Sequence, residues 1–188
     1  LLQAHFELGI TYIRFNMPEK ALRSLEYVKQ KDPEYEMLNE KMGILFAEMK
    51  SYREAAVYLE KATEEDSTAE TYFNLGSVYM KLNQIDKATR ALRNALSLDQ
   101  TNIRYIHILG LLYYEAGNHR YSIDTLNKGI LLQSGNGDLQ FQLGFTYLAN
   151  KDLENAELEY KILTKLKYKN RHKLKAAINQ YQYNKRYN

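Results

Sequence analysis

The 188-residue sequence predicts an all-α fold of five helical hairpins followed by one further helix. Three observations predict it. Glycine recurs at Gly9, Gly43, Gly76, Gly110 and Gly144, at spacings of 34, 33, 34 and 34 residues. The same companions travel with each glycine: a large apolar residue just before it, an aromatic three after, a small residue twelve after and a large one sixteen after. Proline occurs only twice, as a largely helical chain requires. A fixed period of this length marks a repeat architecture.

The first unit begins near Leu2. Leu8, Tyr12 and Phe15 stand at helical spacing around Gly9. Asn16-Met17-Pro18 interrupts the helix, and Pro18 suits the first turn of the next, which carries Ala21 and Leu25. Asp32-Pro33 ends the unit. The second unit begins near Glu36, with Met42 and Phe46 before the break Lys50-Ser51, then Ala55 and Leu59. The third begins near Ala69, with Leu75 and Tyr79, the break Asn83-Gln84, then Ala88 and Leu92. The fourth begins near Ile103, with Leu109 and Tyr113, the break Gly117-Asn118, then Ser122 and Leu126. The run Ser134-Gly135-Asn136-Gly137-Asp138 is the most flexible junction, and Asp138 is placed to cap the helix that follows. The fifth unit begins near Gly137, with Leu143 and Tyr147, the break Asn150-Lys151-Asp152, then Ala156 and Tyr160. From Arg171 to Tyr183 a last helix puts Leu174, Ala177, Ile178 and Tyr181 on one face. The domain reading is thus 1–168 for five repeats and 169–188 for a basic capping helix and tail.

A glycine inside a helix costs about 1 kcal/mol relative to alanine. Five such costs need a return. Close approach of the paired helix supplies it, with the small residue of the second helix opposite. The aromatic and the large residue are then expected to fill the space between units. Tyr52, Tyr58 and Tyr121, in second helices, are expected to help bury neighbouring units.

This pattern resembles the tetratricopeptide repeat family over roughly residues 2–168. The resemblance implies antiparallel helix pairs stacked into a right-handed α-solenoid. Departures are visible. The family's repeat-ending proline appears only as Pro33, and its bulky residue near each repeat start is replaced by His5, Asn39, Tyr72, Ile106 and Gln140. Leu163 stands where the family has a small residue, so the stack changes there. The lysine-rich last helix fits the polar cap that repeat arrays need.

The resemblance also implies a concave groove lined by first helices. Its rows place Phe6, Glu40, Phe73, His107 and Phe141 side by side, then Ile10, Ile44, Leu111 and Phe145, with Met80, Tyr114 and Arg104 in flanking rows. So much apolar surface asks for a partner: an amphipathic helix, an extended apolar peptide or another copy of the chain. Some family members grip a C-terminal carboxylate with Lys and Asn in one first helix, Asn in the next, and Lys and Arg in the third. The corresponding positions hold Phe6, Ile10, Lys41, Glu70 and Asn74 in one window, Glu40, Ile44, Asn74, Arg104 and Ile108 in the next, and Phe73, Ser77, Ile108, Asp138 and Gln142 in the last. None has the set, so a tail binder of the heat-shock-chaperone kind is not expected.

Composition narrows the rest. Hydrophobic residues make up 45% and charged residues 26%, which fits a soluble folded chain. No run of about 20 apolar residues offers a transmembrane helix. Cysteine is absent, so disulfides and thiolate metal sites are excluded. The first residue is Leu1, not Met, and is expected to lie already inside a helix, so the chain is expected to be a fragment whose signal or anchor would be missing; the compartment stays open, cytoplasmic or periplasmic. Net charge is +3, yet after Glu159 there are nine Lys and Arg and no Asp or Glu, leaving −6 for the first 160 residues. This basic end, interleaved with Tyr168, Tyr181, Tyr183 and Tyr187, suits a solvated cap, an acidic partner domain or an anionic membrane surface. Nucleic acid is disfavoured, because a long strand would meet repulsion from the acidic body.

Catalytic signals are wanting. His5, His107, His119 and His172 are scattered, with no i, i+4 pair to hold a metal. The glycines are periodic and helical, with no phosphate loop. The expectation is a non-catalytic protein-binding scaffold without cofactor. The alternative is the recruiting portion of a larger enzyme or of a secretion or envelope-assembly component.

Overall fold

The computed structural model describes residues 1–187, and the regular structure among them is helical throughout. The helices are α1 (Leu2–Arg14), α2 (Pro18–Lys31), α3 (Leu38–Glu48), α4 (Tyr52–Glu65), α5 (Ala69–Lys81), α6 (Ile85–Leu98), α7 (Ile103–Glu115), α8 (His119–Leu132), α9 (Gly137–Ala149), α10 (Leu153–Lys165) and α11 (Arg171–Tyr187). They form two compact units, Leu1–Asp99 and Gln100–Asn188.

The first unit holds three hairpins, α1/α2, α3/α4 and α5/α6, with α3 packed on α2 and α5 on α4. Phe6, Leu25, Val28, Leu38, Met42 and Leu45 share one core cluster. In the second unit α7/α8 and α9/α10 pair, α9 packs on α8, and α11 lies against α9 and α10. Leu163, Leu174 and Ile178 are fully buried there, with Ala177 and Tyr181 packed at the margin.

The periodic glycines are where the hairpins close. A Cβ built on Gly110 would stand 2.7 Å from Leu126 Cδ2, and one on Gly43 would stand 2.6 Å from Leu59 Cγ. The large residue sixteen positions on therefore packs directly over the glycine of its own hairpin. This corrects the expectation that it fills the space between units. In the fifth repeat that residue is Tyr160, which is only half-buried. Leu174 of α11 takes its place, 2.5 Å from the Cβ position of Gly144. The cap thus supplies the missing leucine.

Each first helix ends in the same turn. Asn16, Lys50, Asn83, Gly117 and Lys151 have φ between 54° and 73°. The next amide, such as Met17 N–H or Asp152 N–H, donates to the carbonyl of the repeat aromatic, Tyr12 or Tyr147, at 2.9 and 2.8 Å. This is a six-to-one helix-ending bond, which leaves the preceding residue left-handed. Glycine holds such a φ without strain, whereas lysine pays for its Cβ. Lys50→Gly is expected to raise the stability of the Leu1–Asp99 unit by about 0.5–1 kcal/mol, read from the denaturant midpoint. A midpoint that stays level or falls would show that the lysine is unstrained.

Further expectations are adjusted. The cap of α9 is Asn136, which accepts from Asp138 N–H and Leu139 N–H at 3.1 Å each; Asp138 lies inside the first turn. Tyr58 stacks on Phe46 of its own hairpin at 5.3 Å. Tyr121 is 62% exposed and buries little. Leu8 is 40% exposed, while its counterparts Met42, Leu75, Leu109 and Leu143 are 1–6% exposed.

Candidate functional site

The second unit contains a cavity of about 500 Å³. Helix α7 contributes His107, Leu111 and Tyr114, one turn apart and therefore on one face. Helix α9 contributes Phe141, Gln142 and Phe145, with Asp138 one turn before them. The far wall comes from beyond the repeats: Tyr168 of the α10–α11 connection and Lys173 of α11. Phe141 meets Phe145 edge-on at 5.0 Å and the ring of Tyr168 at 5.3 Å, so the aromatics form a continuous wall. Tyr168 is fixed twice. Its ring occupies the space a side chain on Gly137 would need, 2.6 Å from the Cβ position. Its hydroxyl donates to Asp138 Oδ1 at 2.6 Å. Burial, and then the Asp138 carboxylate, raise the Tyr168 phenol above its ordinary value.

The first unit has its own smaller cavity of about 290 Å³, lined by Ile44, Ala47, Asn74, Ser77 and Lys81 among others. Glu48 is on its wall, and burial lifts its carboxyl above the ordinary range.

The residues expected in the groove divide into three groups. His107, Leu111, Tyr114, Phe141 and Phe145 are brought together in the larger cavity, and Ile44 lines the smaller. Ile10 and Met80 are half-buried, Glu40 pairs with Lys41 at 3.1 Å, and Arg104 is exposed. Phe6 and Phe73 are not groove residues: they are 6% and 2% exposed. Phe6 is drawn into the core against Tyr35, at 4.9 Å between rings. Among the described residues no group of three His, Asp or Glu is placed to hold a metal ion. Nor is any helix among them long and apolar enough to cross a membrane.

The tetratricopeptide repeat family profile matches residues 69–102, which are α5 and α6 with their turn. The other four hairpins carry the same glycine, aromatic, small and large positions. The third hairpin is a tetratricopeptide repeat. Tetratricopeptide repeat protein 21A of Homo sapiens is 27% identical over 135 residues, 68% of this chain but 10% of that protein. The BBSome complex member BBS4 of Bos taurus is 35% identical over 92 residues, 49% of this chain and 18% of that protein. The chain therefore spans a small part of these curated relatives. The crystal structure of YrrB, described as a TPR protein with an unusual peptide-binding site, superposes with a TM-score of 0.83 at 19% identity, covering 95% of this chain and 90% of that one.

In a stack of such hairpins, register alone locates first-helix residues on one side. It does not locate Tyr168 and Lys173, which lie outside the repeat rows. The signal was present in Gly137, a glycine off the 34-residue period, but nothing in the sequence says which ring fills the space it leaves.

Proposed function

We propose that this chain is a non-catalytic interaction scaffold that holds an apolar peptide or amphipathic helix of a partner protein against its first helices. The observation that carries the reading is the open aromatic cavity of the Gln100–Asn188 unit, where Leu111, Tyr114, Phe141 and Phe145 leave apolar surface unfilled. Its volume falls in the range that takes a few side chains. Burying one aromatic anchor there is worth a few kcal/mol at about 25 cal/mol per Å². YrrB, of like fold, has a peptide-binding site, and BBS4 is a member of the BBSome complex. Both support an interaction role. Within the second unit Arg104 and His107 belong to the proposed surface, and within the first unit Ile10, Ile44, Met80 and Glu40 are proposed as contact residues of its own first helices.

Leu111→Asp tests the reading. Leu111 is half-buried and stands on the cavity wall, outside the clusters around Leu126 and Leu163. The variant is expected to melt like the wild type and to lose at least about tenfold in affinity for the partners that the wild type captures, since a buried carboxylate faces them. Equal capture by both proteins would remove the cavity from the function.

A further inference from the structure

We propose that the cavity of the second unit selects an acidic peptide, with an apolar side chain filling it and neighbouring carboxylates meeting Lys173 and His107 of its lining. This rests on the peptide-docking reading above and adds its chemistry. Residues 100–188 carry thirteen Lys and Arg against seven Asp and Glu, a net of +6; residues 1–99 carry thirteen against sixteen, a net of −3. The unit that holds the open aromatic cavity is thus the basic one. The carboxylate on the wall, Asp138, already accepts the Tyr168 hydroxyl. No carboxylate among the described residues forms an ion pair with Lys173 or His107. The first turn of α11 contains no acidic residue either. Lys173 therefore lines an apolar recess, exposed and without an ion-pair partner among the described residues, in a unit whose net positive charge outweighs the one wall carboxylate, Asp138, and opposite charge on a partner is steered to it. A peptide fits better than a nucleic acid strand, because the recess is lined by aliphatic and phenyl carbon and takes a side chain, while the basic groups stand at its edge.

Fluorescence anisotropy with three labelled nine-residue peptides tests this. Each has a central Phe-Leu pair, flanked by Glu in the first, Gln in the second and Lys in the third. The Glu peptide is expected to bind about fivefold more tightly than the Gln peptide and the Lys peptide more weakly still. Lys173→Glu, an exposed position that leaves the fold intact, is expected to reverse the order of the Glu and Lys peptides. Leu111→Asp is expected to abolish binding of all three. Equal binding of the Glu and Gln peptides, or an order unmoved by Lys173→Glu, overturns the acidic selection while leaving the docking reading standing, provided Leu111→Asp still abolishes binding. Affinities untouched by Leu111→Asp overturn both. Binding of none of the peptides overturns the inference, and partner capture by the Leu111→Asp variant then judges the docking reading separately. Displacement of the Glu peptide by an oligothymidylate at equal charge assigns the site to nucleic acid and overturns the peptide assignment.

Discussion

Gly110→Ala lowers the stability of the Gln100–Asn188 unit by about 2 kcal/mol, although alanine is intrinsically the better helix former by about 1 kcal/mol. The added Cβ would lie 2.7 Å from Leu126 Cδ2 and 2.9 Å from its Cγ, and Leu126 is fully buried, so any retreat pushes it into packed neighbours. The helices cannot simply part, because Ser122 Oγ donates to the Gly110 carbonyl at 2.8 Å and ties α8 to α7. Leu126→Ala alone costs about 3 kcal/mol through the cavity it leaves. In the double variant the new methyl enters that cavity. Its cost is expected to fall short of the sum by more than about 1 kcal/mol. Denaturant unfolding of the four proteins measures the coupling; strictly additive costs would mean that glycine and leucine do not share the space.

The second large effect is a pH dependence centred on Glu159. Its side chain is 7% exposed on α10, and Oε2 has no hydrogen-bond partner. Burial pushes its carboxyl up to about 7 from an ordinary 4.5. Between these values the folded chain keeps a proton that the unfolded chain has released, so stability falls as pH rises through the window. Below about 4.5 both states are protonated and no penalty exists; above about 7 the folded state carries a buried, unpaired charge. Allowing for partial solvation, the loss across the window is about 2 kcal/mol. Glu159→Gln removes the titration. The stability difference between Glu159→Gln and wild type is expected to shift in favour of the glutamine by that amount from pH 4.5 to pH 8. Groups elsewhere cancel in the difference. A difference that stays flat with pH would show that the carboxyl titrates normally.

The candidate site was readable from the sequence where it depends on helical register. Leu111 and Tyr114 of α7, and Phe141 and Phe145 of α9, line one cavity because residues three and four apart share a face whatever the tertiary context. Phe6 and Phe73 stand in the same row as Phe141 and are nevertheless buried. Register fixes the direction in which a side chain leaves its helix. It does not say what stands opposite, and for Phe6 that is Tyr35 from the α2–α3 connection.

By itself the sequence determined the number of hairpins and their helix pairs and turns, because apolar spacing and helix breaks act within a few residues of the backbone and the glycine period repeats them. Only the tertiary structure decided which side chain closes on each glycine, that Leu174 stands in where Tyr160 cannot, and that Tyr168 and Lys173 finish the cavity. Those choices depend on the shape left between helices distant in sequence, and a repeat pattern carries no record of that shape.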